Sequence, residues 1–437
     1  MRNSCMLLAA WLSPLLLAAQ FPLSRQVEAD LPYLRSLYEH FHRNPELSFQ
    51  EQQTSRRMAE ELRQAGFEVT EGIGGYGLAA VLRNGTGPCV MLRADMDALP
   101  VREETGLPYA SAVTVQDAAG SSTGVMHACG HDLHMTVLTG TARLLAAQRN
   151  TWRGTLLLIA QPAEERSGGA KAMLGDGLFD RFPRPDAALA LHANATLPAG
   201  SVGVCPAYAL ASVDMVDITV RGVGGHGAYP HTTKDPIVLA AQMILGFQTL
   251  VSREIAPIEP AVVTVGSIHG GSKGNVIPDE VRMELTVRAY DEGVRKTLLE
   301  GLRRMSAAYA AAAGLPADRY PAVTVRDEST PSLYNDPALT AQAEAAFRRA
   351  LGEAQVQRVP PVMGGEDFGR FGLTEPRVPI CLFWLGTVAP DRAAAAARGE
   401  LALPSLHSPR FAPLPDPSIR TGVTAMSAAV LELMPRR

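Results

Sequence analysis

Between His127 and His134 the chain reads His-Ala-Cys-Gly-His-Asp-Leu-His, one cysteine, three histidines and one aspartate in eight residues. Thiolate, imidazole and carboxylate are the donors that hold zinc and neighbouring divalent metals. A polar loop with a chance cysteine would stand alone. Here three later pieces add donors: Gln161-Pro162-Ala163-Glu164-Glu165, His192 in Ala-Leu-His-Ala-Asn, and His407 in Leu-His-Ser-Pro. Such a set suits metal-assisted hydrolysis, because a bound metal lowers the pKa of its water from about 15.7 to roughly 7. Successive side chains on a strand diverge, so one of Glu164 and Glu165 is expected to ligate. The other is then free to take the water's proton and pass it to the leaving amine.

Other charged residues are more ambiguous. Asp95 and Asp97 follow an apolar run, where they either cap a turn or face a site at a sheet edge. Arg288 closes an alternating run and reads either as a surface charge or as a fork for a substrate carboxylate. His127, His134, His231 and His269 read equally as structural or functional.

The elements that must position these residues follow from periodicity. Leu31, Leu34, Leu37 and Phe41 recur at helical spacing, predicting a helix that runs to about Arg43 and stops at Asn44-Pro45. A second helix is expected over 50–64. Apolar runs at 77–82, 89–92, 155–160 and 187–191 read as buried strands, and the last three each end in a polar cluster. A helix over 136–148 places His131 and His134 near its start. From Cys205-Pro206 the texture changes to alternating strands at 215–221, 262–265 and 281–287, with helices over 235–254 and 291–313. This reads as an inserted α+β unit with an open antiparallel sheet, residues 206–317, inside an α/β catalytic domain formed by 25–205 and 318–437. The run 323–325 is read as the return to α/β texture.

The whole chain has 437 residues, 46% hydrophobic and 19% charged, as a folded globular protein of two or three domains requires. A net charge of −4 offers no broad basic field for nucleic acid. Arg2 followed by the apolar stretch from Cys5 to Ala19 reads as a secretory leader cut near Ala19. It is short for a membrane span. The expectation is a secreted or periplasmic protein without stable membrane association after cleavage. Cys89, Cys129, Cys205 and Cys381 are scattered rather than framework-like.

Seven segments in order resemble the M20 family of metallopeptidases, in the amidohydrolase branch that includes hippurate and auxin-conjugate hydrolases. They are His42-Arg43-Asn44-Pro45-Glu46-Leu47-Ser48, Leu92 to Pro100, His127 to His134, Gln161 to Glu165, Gly225 to His231, Asn275-Val276-Ile277-Pro278 and Gly365-Glu366-Asp367-Phe368. Arg93 stands where other branches carry histidine, in keeping with a branch in which a cysteine enters the metal site. The resemblance implies that Cys129, His131, Glu165, His192 and His407 ligate one or two divalent ions. It implies Glu164 as general base and Asp95 as the carboxylate that orients the site. It also implies that His226, Asn275 and Arg288 bind substrate and its oxyanion from an inserted lid and dimerisation domain. Zinc suits the Cys and His donors, and manganese, cobalt or nickel suit the carboxylates. The expected function is cleavage of the amide of N-acyl amino acids by a homodimer. A metallo-dipeptidase, and a non-catalytic metal-binding protein, are the alternatives.

Overall fold

Four strands buried on both faces run parallel at the centre of the computed structural model: Gly154–Gln161, Cys89–Asp95, Ala187–Pro198 and Ile380–Val388. Their continuous apolar sequence is what a strand covered by helices on both sides requires. The structure describes residues 14–116 and 120–436, with the side chains of 14–22 and of Ser24 left out. Gly77–Asn84 and Glu68–Ile73 extend the sheet antiparallel on one side. On the other, Val202–Val204 pairs antiparallel with Ile380–Val388 and parallel with Val356–Arg358, giving eight strands in a mixed sheet. The protein is thus of the α/β class.

Helices cover both faces. Leu34, Leu37 and Phe41 of Pro14–Arg43, Leu138 and Leu145 of His131–Ala147, Phe347 of Pro337–Leu351 and Val423 of Pro415–Leu433 form one core. Met173 of Gly169–Gly175, with Phe368 and Phe371, forms the core on the opposite face. The first helix ends at Arg43 as expected and extends back to Pro14. The leader expected over 1–19 falls mostly on residues outside the described set.

A second sheet has the order Ala261–Gly270, Glu280–Ala289, Ser212–Arg221, Ala322–Val325, all antiparallel. Side chains of Ser212–Arg221 alternate between buried and half-exposed, so one face packs on the helices Pro236–Thr249 and Glu292–Ala312. Asp235 and Asp291 start these helices by accepting amides of the first turn, and Pro236 fixes the first helical position. Both expected boundaries move. Ala207–Leu210 pairs with Leu333–Asn335, and Leu210 and Leu333 pack in the catalytic core, so the inserted sheet begins at Ser212 rather than 206. Ala322–Val325 pairs with Ser212–Arg221, so the inserted unit extends past 317. Four alternating residues carry no mark of which sheet they join; only pairing decides it.

Candidate metal centre

Sheet register brings the first residues together. Asp95 pairs with Gln161, and Arg93 pairs with Ala190, which sets Asp95 level with His192. His192 therefore stands within Ala187–Pro198, not at the strand's end as its sequence suggested. Cys129 and His131 arrive on the turn into His131–Ala147. Its Gly130 has φ +83°, and a Cβ there would lie 2.9 Å from that of Ala193, so both the turn and the close approach call for glycine. His407 comes from the far end of the chain, held by its amide on the Ala128 carbonyl at 2.9 Å. Its φ of 64° is unusual for a residue with a side chain, a type of strain often found at functional sites.

The strand before the glutamates stops at Gln161, so Glu164 and Glu165 lie in a turn, where Ala163 has φ 51°. The expectation of divergence along a strand does not apply: Glu164 and Glu165 each bring an oxygen within 4.8 Å of a His131 nitrogen. At the same spacing Cys129 groups with His131 and His192, and again with Glu165 and His407. The groups share members, so Cys129, His131, Glu165, His192 and His407 form one cluster. Cys129 Sγ lies 3.5 Å from His192 Nε2, His131 Nε2 3.8 Å from Glu165 Oε1, and His407 Nε2 3.5 Å from Glu165 Oε2. Donors on bonds of about 2.0–2.3 Å to one tetrahedral ion stand roughly 3.3–3.7 Å apart.

Unmet polar atoms fit the same reading. His131 Nε2 and Glu165 Oε1 are buried without a hydrogen-bond partner. His192 Nδ1 sits 2.8 Å from the Ala193 carbonyl, to which it can only donate. That fixes the tautomer and leaves the Nε2 lone pair facing Cys129. Charge points the same way. Asp95, Glu366 and Asp367 bond the buried guanidinium of Arg93, with Glu164 grouped beside Glu366 and Asp367, while Asp97 and Glu165 stand next to His131. Burial, then Glu165 and Glu164, push the Cys129 thiol well up, and burial pushes Glu165 to about 7. Burial would lower His131, yet Asp95, Asp97 and Glu165 raise it to about 10. Such crowded anions in a dry site call for cationic charge, and these residues fit a divalent ion.

The sequence reading gave Arg93 no role in the site and left Asp97 between a turn cap and a site residue. Arg93 is fully buried and reaches Gln161 at 3.0 Å, Asp95 at 2.5 Å, Glu366 at 2.8 Å and Asp367 at 3.2 Å. A lone arginine inside an apolar strand was the available signal, since such a charge needs buried partners. Asp97 accepts the amides of Glu164 and Glu165, each at 3.0 Å, and the Ser48 hydroxyl at 2.6 Å, so it holds the turn that carries both glutamates. Other expected residues lie apart. His226 pairs with Val276 in the ribbon of Gly225–His226 and Val276–Ile277, and the carbonyl of Asn275 beside it accepts the Gly227 amide at 2.9 Å; both are exposed, and no contact among the described residues links them to the cluster. Arg288 donates to the Met363 carbonyl at 2.7 Å, bridging the inserted sheet to the loop before Glu366.

The comparisons with known proteins follow this geometry. The profile of peptidase family M20/M25/M40 matches residues 91–407. An N-acetylcysteine deacetylase of Bacillus subtilis is 36% identical over 81% of this chain and 87% of its own. The hippurate hydrolase of Campylobacter jejuni is 38% identical over 76% of this chain and 82% of its own. The solved structure of the Bacillus subtilis YXEP protein, described as a dinuclear metal binding peptidase, superposes with TM-score 0.74 at 29% identity, covering 93% of this chain and 99% of that one. Cluster, profile and relatives agree: this chain belongs to peptidase family M20/M25/M40 and is a metal-dependent hydrolase of amide bonds.

Proposed function

We propose that the protein hydrolyses the amide of N-acyl amino acids, releasing a carboxylic acid and the free amino acid. The observation that carries this reading is the cluster of buried Cys129, His131 and His192 with half-buried Glu165 and exposed His407, and a second, buried carboxylate, Glu164, at its edge. Cys129, His131, Glu165, His192 and His407 would hold one or two divalent ions, zinc first, with manganese, cobalt and nickel as alternatives. An ion there supplies Lewis acidity and a nucleophile at neutral pH. Glu164 takes the proton and delivers it to the leaving nitrogen. Asp95 orients the cluster through His134, 2.6 Å away. Arg288 offers its fork to the α-carboxylate, and His226 and Asn275 serve the oxyanion.

His226 and Asn275 are exposed and apart from the cluster, so this reading assigns them to the site of a second copy in a homodimer. Ile237, Val238 and Leu245 on Pro236–Thr249, and Ile268 on the edge strand Ala261–Gly270, supply exposed apolar surface for such pairing. The leader-like residues 1–19 support secretion or a periplasmic location.

A second reading, an exopeptidase on free dipeptides, is favoured by a thermostable carboxypeptidase of Saccharolobus solfataricus, 36% identical over 79% of this chain. Metal-reconstituted protein assayed on N-acetyl and N-benzoyl amino acids beside free dipeptides separates the two. Faster cleavage of dipeptides would replace the first reading with the second.

A further inference from the structure

A cavity of about 760 Å³ opens where the two units meet, lined by Lys171, Arg295, Arg370, Arg377, Tyr208 and Tyr334 among others. Its size lies within the roughly 300–1,000 Å³ of small-molecule sites. No residue of its lining belongs to the metal cluster.

Four cationic groups line the cavity against one carboxylate, Glu292. Two of the four are already matched. Arg295 forks onto Asp214 with two bonds of 2.7 Å and also reaches Glu292 at 2.8 Å. Lys171 Nζ lies 3.5 Å from Asp327. Arg370 donates one Nη2 bond to the Ser329 carbonyl, and its buried Nε makes none. It has no carboxylate partner among the described residues. Arg377 is exposed and makes no hydrogen bond or ion pair among the described residues. Neither guanidinium thus bonds a carboxylate, although Asp367 and Asp214 act on Arg370 from beyond ion-pair distance, and guanidinium binds carboxylates through paired bonds. Beside them Tyr208 and Tyr334 stand edge to face, 5.0 Å between centroids, with Tyr334 46% exposed. Aromatic faces of this kind bury a flat apolar body.

The cavity also flanks both crossings between the units. Tyr208 and Tyr334 lie on the paired strands Ala207–Leu210 and Leu333–Asn335, while Val213 and Thr330 exchange two backbone bonds of 2.9 Å next to them. Arg295 belongs to the inserted unit and Arg370 to the catalytic one, so an occupant touches both.

We propose that this cavity is a second ligand site, separate from the metal centre. It takes a small aromatic carboxylate, the anion on Arg370 and Arg377 and the ring against Tyr208 and Tyr334. Calorimetric titration of benzoate and of acetate into the metal-loaded full chain tests this. Benzoate should bind saturably, at least about tenfold more tightly than acetate. Arg377→Ala should weaken benzoate about tenfold, as loss of a charge-assisted bond does. Tyr334→Leu should weaken benzoate more than acetate. Arg377 is exposed and unpaired, so its variant should keep its metal content, its melting temperature and its turnover without benzoate. Undiminished benzoate binding in Arg377→Ala would place the ligand on the metal cluster and overturn the proposal. Equal affinities for benzoate and acetate, or no saturable binding, would overturn it as well.

Discussion

Asp95 Oδ1 stands 2.6 Å from Nδ1 of His134, whose Nε2 accepts the Ala193 amide at 2.8 Å. Since Nε2 accepts, Nδ1 carries the ring's proton and donates it to Asp95. Burial lowers the His134 pKa to about 4, which keeps the ring neutral. This one side chain ties the helix that carries His131 to the strand that carries His192. His134→Ala leaves a buried carboxylate one donor short and a buried amide without an acceptor. At about 1–3 kcal/mol for each unmet group, urea unfolding should show a loss of roughly 2–6 kcal/mol. A loss under about 1 kcal/mol would show that the tie carries no weight.

Glu164→Gln removes the proton carrier and leaves the turn, because Asp97 holds that turn through backbone amides. The expected kcat falls by about 10²–10⁴-fold with metal content and unfolding unchanged. Near-normal turnover in single-turnover kinetics rules out Glu164 as the base.

Burial, then the neighbouring Glu165 and Glu164, disfavour the Cys129 thiolate, so the sulfur would be charged only with a cation bound to it. Cys129→Ser should purify with less metal, read by emission spectroscopy, and chelation should abolish activity in the parent. Full metal occupancy in the variant would remove Cys129 from the ligand set.

His42 joins two buried acids, Asp132 at 2.7 Å through Nδ1 and Glu103 at 3.0 Å through Nε2. Burial would lower its pKa, yet Asp132 and Glu103 raise it from 6.5 to about 9. A raised histidine pKa stabilises the fold fully below the unfolded value. That contribution is lost as pH climbs from 6.5 through about 9. His42→Gln lacks it at every pH. The stability gap between parent and variant should therefore shrink by up to ~3 kcal/mol between pH 6 and pH 9.5. A gap constant across that range means the histidine is not charged in the fold.

His226 is exposed and lies apart from the cluster, so its service to the oxyanion is expected across a dimer. An oxyanion donor is worth about 2.7–4 kcal/mol, so His226→Ala should lose about 10²–10³-fold in kcat with metal retained. Mixing it with Glu164→Gln subunits should restore part of the activity, because one site of each hybrid regains both groups. Exchanged hybrids that stay inactive, or a monomer in solution, refute service in trans.

The sequence by itself determined the donor set and the layered fold. The Cys129 to His134 segment and the Glu164-Glu165 pair stand out as candidate donors by type and spacing, and runs such as Leu156 to Ala160 announce buried parallel strands, because both signals are local, whereas the ligand roles of His192 and His407 came from the family resemblance. Tertiary structure decided what depends on pairing across the chain. Register set His192 level with Asp95 inside a strand. Pairing assigned Ala322–Val325 to the inserted sheet. Packing gathered Arg93, Glu366 and Asp367, 273 and 274 residues apart, into one buried ion network. A buried charge is stable only beside its counter-charges, and no local pattern states which distant residues the fold will bring to it.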